Sequence, residues 1–472
     1  MASDKTKTLL FSISVGECYK NFAAFPGGLF ELLEADVVRG ALRIIFVVPK
    51  EKTALLEPVE AFAKRHPDRV VVETVTIAPR TTIQKIFAFL YSYFVYTGTT
   101  KTLATVGMRP NDAPGGGNRW LAPLKFALSK TFGRSRWIRF SVVPVLYRLF
   151  FPQRPFAQIV DTYEPDLVFV PDLFDRFDVE LSREAMYRKI RRVGMVMNWD
   201  HLDKYFLPFP VEILFAQSDQ MRRFAVEFQM YPNEAIRIVG YPFLDFVANK
   251  EYRAPREEII KKLGFSPNAK YVLYIAGSMY APDEPDVIEE MIKWADHNEY
   301  GGEDVYFVIR PYPGGRGKDV EFDEQKFNGF ANHPRVSFQM EKFWAGFETN
   351  IEFMNIMRHA DVLIQVFSTA VIPAAALDRP MITPSFDGHH LRPFNRSVRR
   401  FEMREHFKDV LESGGQQRAL TFEELKEKLT MYLKHPETHA REREDMRQKV
   451  VGPLDGNASK RMHELLIKEL DS

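Results

Sequence analysis

Cysteine is nearly missing from the chain. Cys18 is the only one in 472 residues, so no intrachain disulfide can form, which fits a reducing compartment. An excess of charge of either sign is also missing. Sixty-four Lys and Arg face 63 Asp and Glu, a net charge of +1, so no overall field draws the chain toward nucleic acid. Long apolar runs are absent. A spanning helix needs about 20 apolar residues; the nearest approach, Ile86 to Tyr96 between Lys85 and Lys101, is too short and is expected to be a buried helix. Near the start no apolar run precedes a small-residue cleavage site, so Leu9 to Val15 is expected to be a strand rather than a leader. There is no Cys pair and no HExxH. The adjacent His389 and His390 would point apart on a strand and suit a solvated loop better than a metal. GxSxG, the Walker phosphate loop and GxGxxG are absent too, which removes support for serine hydrolysis, P-loop hydrolysis and hydride transfer. No metal and no cofactor are expected.

What is present is alternation. Strand-like runs occupy 9–16, 41–49, 70–77, 167–171, 194–199, 212–218 and 236–240, with helical periods between them, as at Leu29 to Val38 and Glu180 to Arg191. Polar residues near 246–256 interrupt the pattern, and it restarts at 271–278, 305–315, 336–339 and 361–367. Strands alternating with helices imply parallel sheets covered on both faces, and the length suits two domains. The expected class is α/β. Two Rossmann-like, doubly wound parallel-sheet domains, 1–246 and 257–450, would face a cleft, and a C-terminal helix in 451–472 would pack back on the first.

The second half is organised around His359 to Ser385. An apolar run ends at Phe367, Ser368 and Thr369 follow, and Ala370 to Leu377 is small and apolar. Ligands of open α/β sheets bind beyond the carboxyl ends of the strands, and a helix start there offers N–H groups to an anion. The same hydroxyls also suit a plain N-cap. Two more strand ends carry Gly277-Ser278 and Arg310 with Tyr312. Glycine admits a phosphate to the backbone, arginine gives a charge-assisted fork and hydroxyls donate. Gly277, Ser278, Arg310, Tyr312, Ser368 and Thr369 are thus candidates for a nucleotide diphosphate site. On the first domain Glu17, Asp200 and His201 follow strands, where a carboxylate could serve as general base; Asp200 equally suits a turn.

An insertion, about 80–154, breaks the alternation. From Ala113 to Val160 there is no acid, while Arg134, Arg136, Arg139 and other cations alternate with aromatics. This composition suits anionic lipid or an anionic acceptor, or else a helical face with solvated cations.

Several stretches in their order, FSISVGECYKNF, NWDHLDKYF, IRIVGYPFLDF, VIRPYPGG and ADVLIQVFSTAVIPAAALDRPMI, resemble the GT-B glycosyltransferase superfamily. Within it they are similar to CDP-glycerol glycerophosphotransferase-like and surface-polysaccharide glycosyltransferases. The resemblance covers most of the chain outside the insertion. It implies transfer of a sugar or polyol phosphate from a nucleotide-sugar or CDP-polyol donor to a glycan or lipid-linked acceptor, without a metal. The lone cysteine, the balanced charge and the basic, aromatic insertion are the grounds for expecting a cytoplasmic protein, peripheral on the inner face of the membrane, with no nucleic-acid partner. One position departs from the pattern: Pro373 stands where many members carry the acid that grips the donor ribose. Two alternatives remain, a nucleotide-sugar 2-epimerase and a non-catalytic protein on a decayed transferase fold.

Overall fold

The computed structural model describes residues 6–23, 25–105, 121–312, 318–340 and 346–472, and for 17–20, 105, 318–320 and 324 the backbone only. The chain divides into two compact units. One comprises Met1–Thr100, Pro123–Ala248 and Gly452–Ser472, the other Lys101–Ala122 and Asn249–Val451.

The first unit holds seven parallel strands: β1 (Lys7–Ser12), β2 (Leu42–Pro49), β3 (Val70–Val75), β4 (Leu167–Val170), β5 (Arg191–Met195), β6 (Ile213–Ala216) and β7 (Ile236–Ile238). Their order is β3-β2-β1-β4-β5-β6-β7. The central strands are buried along nearly their whole length, the condition that makes parallel strands continuous apolar runs. Phe11 anchors the core, with the rings of Phe22, Phe30, Phe46 and Phe169 centred 4.8–6.0 Å away. The helix Ala458–Leu470 adds Met462, Leu466 and Leu470 to this core.

The insertion builds a satellite core of its own from Phe87, Tyr91, Phe94, Tyr147 and Phe151, against Phe206 and Phe209. Its first helix, Thr82–Ser92, opens with a capping box between Thr81 and Gln84, two donors satisfied reciprocally. The expectation of a buried helix here is corrected. Phe87 and Tyr91 face inward, but Ile86 is 56% exposed on the opposite face.

The second unit repeats the plan with six parallel strands: β8 (Lys270–Ile275), β9 (Val305–Arg310), β10 (Val336–Phe338), β11 (Val362–Gln365), β12 (Met381–Pro384) and β13 (Gln416–Ala419). The order is β10-β9-β8-β11-β12-β13. In both sheets the order reverses beside the first strand of the unit. A doubly wound sheet leaves its ligand crevice at such a point, outside the carboxyl ends of the strands. The topology therefore directs attention to the ends of β1 and β4 in one unit, and of β8 and β11 in the other.

Candidate functional site

In the second unit, register brings three predicted strand ends into line. Ile275 pairs with Arg310 on one side and with Gln365 on the other. Neighbouring strands lie about 4.8 Å apart, so the ends of β9, β8 and β11 span roughly 10 Å of one rim, within reach of an arginine side chain.

The groups along this rim differ in what they have left to offer. Gly277 and Ser278 are already engaged. The Gly277 N–H donates to both carboxylate oxygens of Glu284 at 3.0 Å. That carboxylate also takes the Tyr274 hydroxyl at 3.2 Å and the Lys326 ammonium at 2.5 Å. The Ser278 hydroxyl donates to Asp323 at 2.8 Å. An internal anion thus holds the place beside the Gly277 amide where a phosphate was expected. A Cβ at this position would lie 2.8 Å from the Tyr280 ring, which would have to shift to admit any other residue. Burial pushes the Glu284 carboxyl above its ordinary range, even though Lys326, Gly277 and Tyr274 all favour its charged form.

The corner after β11 is also tighter than expected. The helix is Val371–Ala376, six residues, with Ala370 rather than Thr369 before its first turn. The Ser368 hydroxyl accepts from the Ala370 N–H at 3.3 Å. The N–H groups of Val371 and Ile372 reach the carbonyls of Ser368 and Thr369, and Pro373 has none to give. The expected array of free N–H donors is therefore corrected: these groups close the turn on itself. Hydrogen-bond complementarity orients the Gln365 amide so that it donates to the Ser368 carbonyl at 3.0 Å and accepts from Val371 at 3.3 Å. Phe367, with φ +46°, takes the left-handed conformation at this corner, which costs a non-glycine residue of order 1–3 kcal/mol and clusters at ligand-binding sites. Thr369 is exposed and Ser368 half-buried. Arg310 is buried, its guanidinium 3.9 Å from the centre of the Phe353 ring, and Tyr312 is exposed. Among these predicted rim groups the Ser368 hydroxyl meets the Ala370 N–H, not a carboxylate as the Ser278 hydroxyl does, and Arg310 keeps its ring contact with Phe353. Residues 313–315 of the proline–glycine turn lie outside the described residues.

On the first unit the sequence located part of a polar group and missed the rest. His201 and Asp200 sit in the turn after β5, and Asp172 follows β4. His201 Nδ1 is 3.9 Å from Asp172, its Nε2 is 4.0 Å from Asp200, and the Asn198 amide is 3.2 Å away. Lys204 lies 3.5 Å from Asp200. The imidazole packs against Phe174 and Tyr205. It stands between two carboxylates, within 4.0 Å of each. Asp178, whose charge interacts with that of Asp172, is fully buried and accepts from the hydroxyls of Ser12 and, at 2.6 Å, Ser14. Burial, and then the charges of Asp175 and Asp172, hold its carboxyl well above the ordinary value. Asp172, Asp178, Ser12 and Ser14 carry no local motif; only the strand order, which sets β1 beside β4, could have marked them. Glu17 belongs to the helix Gly16–Ala23, and its side chain lies outside the described residues.

The insertion's three named arginines have different roles. Arg139 is buried and donates to the carbonyls of Gly133, Phe228 and Phe94, so the expectation of a surface cation there is corrected. Arg136 donates to the Met230 carbonyl at 2.9 Å. Arg134 is exposed.

No protein-family model matches the chain, and no curated protein matches it in sequence. Solved structures do match. The UDP-GlcNAc 2-epimerase of Neisseria meningitidis bound to UDP-GlcNAc has a TM-score of 0.53 at 12% identity, covering 98% of this chain and 100% of that one. The UDP-GlcNAc 2-epimerase of Methanocaldococcus jannaschii has a TM-score of 0.50 at 11% identity, covering 98% and 99%. A glycosyltransferase from Rickettsia africae has a TM-score of 0.50 at 9% identity, again covering 98% and 99%. At these identities the likeness establishes the fold: two parallel-sheet α/β domains of the GT-B type.

Proposed function

We propose that the protein is a nucleotide-dependent transferase of glycosyltransferase type. The second domain binds the diphosphate of a nucleotide-activated sugar or polyol, and Arg310 is its main anion contact, assisted by Ser368, Thr369 and Tyr312. The observation that carries this reading is the register that sets Arg310, at the end of β9, level with Ile275 and Gln365, the ends of the two strands that flank the topological switch point. A fold shared with a protein bound to UDP-GlcNAc supports a nucleotide ligand. The acid–base work on an acceptor hydroxyl is assigned to His201 with Asp172 and Asp200; Glu17 remains a candidate beside them. Catalysis then consists of positioning and of stabilising the leaving diphosphate. The acceptor we propose is a surface glycan or a lipid-linked saccharide, which would bring the enzyme to a membrane.

A thermal-shift screen of nucleoside diphosphates, nucleotide sugars and CDP-polyols tests this, since a ligand of the folded state stabilises by RT ln(1 + [L]/Kd). Stabilisation by one diphosphate series and not by its nucleoside is expected. If none stabilises, the reading fails in favour of a non-catalytic protein. Interconversion of a nucleotide sugar without an acceptor would reassign the protein as an epimerase.

A further inference from the structure

Apolar side chains are exposed unevenly over the molecule. Among the described residues nineteen large hydrophobics are exposed, and eleven of them fall between Ile83 and Phe150. Singly scattered exposed hydrophobics need no explanation, but a cluster marks an interaction surface. The cluster follows helical spacing. Ile83, Ile86 and Leu90 stand at i, i+3 and i+7 on the outer face of Thr82–Ser92, with Ile83 62% exposed. Trp137, Val145 and Leu149 form a second stripe along the helical run that continues through Ile138–Val142 and Val143–Phe150; Trp137 and Leu149 are each 69% exposed. The two helices are joined. Phe87 and Phe150 have ring centroids 4.8 Å apart, and the Gln84 amide donates to the Phe150 carbonyl at 2.9 Å.

Charge narrows the choice of occupant. Between Thr74 and Val160 the sequence has twelve Lys and Arg against one acid, Asp112, in a chain whose net charge is only +1. Some of these cations are structural, as Arg139 is, and Arg148 lies over the Tyr187 ring. Lys85 sits exposed between Ile83 and Ile86, and Arg134 is exposed three residues before Trp137. Outward Trp, Leu and Ile beside cations, on described segments that carry no acid of their own although Glu227 lines a pocket with Arg134, fit the boundary between anionic headgroups and acyl chains. No helix among the described residues is long and apolar enough to cross a membrane, so contact would be in the plane of the interface.

We propose that the faces of Thr82–Ser92 and of Trp137 to Leu149 form one docking surface for an anionic lipid bilayer. This deepens the reading of a lipid-linked acceptor, and only its purpose rests on that reading; the surface itself stands on exposure and charge.

The test is co-sedimentation of the full chain with vesicles of phosphatidylcholine alone and of phosphatidylcholine with phosphatidylglycerol. The wild type should bind the anionic vesicles, with salt weakening the binding. Trp137→Ser with Leu149→Ser should lower partitioning by tenfold or more. Lys85→Gln with Arg134→Gln should lower it roughly fivefold per cation. Leu391→Ser, which removes an exposed leucine from the other unit, should bind as the wild type does. The same variants should keep the wild-type melting temperature and any nucleotide stabilisation, so loss of lipid binding is separable from loss of the transferase reading. Absence of wild-type binding to anionic vesicles, or unchanged binding by the Trp137/Leu149 variant, overturns the proposal. So does a wild type that self-associates in sedimentation velocity while that variant is monomeric, because the face would then be a protein interface.

Discussion

Replacing Lys326 by methionine isolates the energetics of the anion built into the end of β8. The Lys326 ammonium and the Glu284 carboxylate are 2.5 Å apart with 2% and 3% of their side chains exposed. Lys326 also donates to the carbonyls of Gly277 at 3.1 Å and Ala281 at 2.5 Å. Methionine keeps most of the volume and removes the charge. Breaking a buried pair by deleting one partner costs about 3–5 kcal/mol, because the other charge stays buried. That is a large share of a typical domain stability of about 5–15 kcal/mol. Burial already raises the Glu284 carboxyl above 4.5 with Lys326 in place, so without the ammonium it rises further. The folded variant then keeps a proton that the unfolded chain has released. Its stability must therefore fall as pH rises from the ordinary carboxylate range through the raised value. Urea denaturation followed by fluorescence, fitted with separate transitions for the two units, should show the deficit against wild type widening between about pH 5 and pH 8. Glu284→Gln in the Lys326→Met background should restore most of it, since no charge is then left unpaired. A single-variant loss below about 1 kcal/mol at both pH values, or a double variant no better than the single, would refute this reasoning.

Two further outcomes follow from the first unit. Asp178→Asn should leave the fold intact and stabilise it at neutral pH relative to acid, because the raised carboxyl of the wild type contributes stability at low pH that is lost as pH rises through its value; a pH-independent difference in thermal midpoint would count against this. Arg139→Ala should cost about 3 kcal/mol or more, from three orphaned carbonyls and lost packing on Phe206, yet leave vesicle binding of the folded fraction unchanged. A stable variant with lost lipid binding would restore Arg139 to the surface.

Much of the architecture was legible because buried parallel strands and amphipathic helices have different periods. The helix Leu29–Val38 stands where its period placed it. Errors arose where polar residues are buried in strands or apolar ones lie outside them. The strand expected at 194–199 is β5, Arg191–Met195. Arg192 is buried there by its bonds to Glu212 and Ser182, so a core strand began with what looked like a polar turn. The edge strand β13, QQRA, has no apolar alternation to betray it. Of the candidate site, residue types at strand ends were readable. Their engagement was not: Gly277 is occupied by Glu284, which lies seven residues away, and Ser278 by Asp323, forty-five residues away. Asp172 and Asp178 were hidden because the switch point depends on strand order, a long-range property.

The central claim is that Arg310 at the β9 end is the main contact for a nucleotide diphosphate, and calorimetric titration of UDP and CDP into the wild type, Arg310→Ala and Ser368→Ala tests it most directly. Hydrogen bonds to a charged group are worth about 1.5–3 kcal/mol, or one to two decades in affinity. The account predicts that one diphosphate binds the wild type and that Arg310→Ala, with an unchanged circular dichroism spectrum, loses affinity by that amount. Ser368→Ala should lose less, since its hydroxyl also serves the Ala370 N–H, and the uncharged nucleosides should distinguish the variants far less. Equal diphosphate affinity in the wild type and a folded Arg310→Ala would contradict the account.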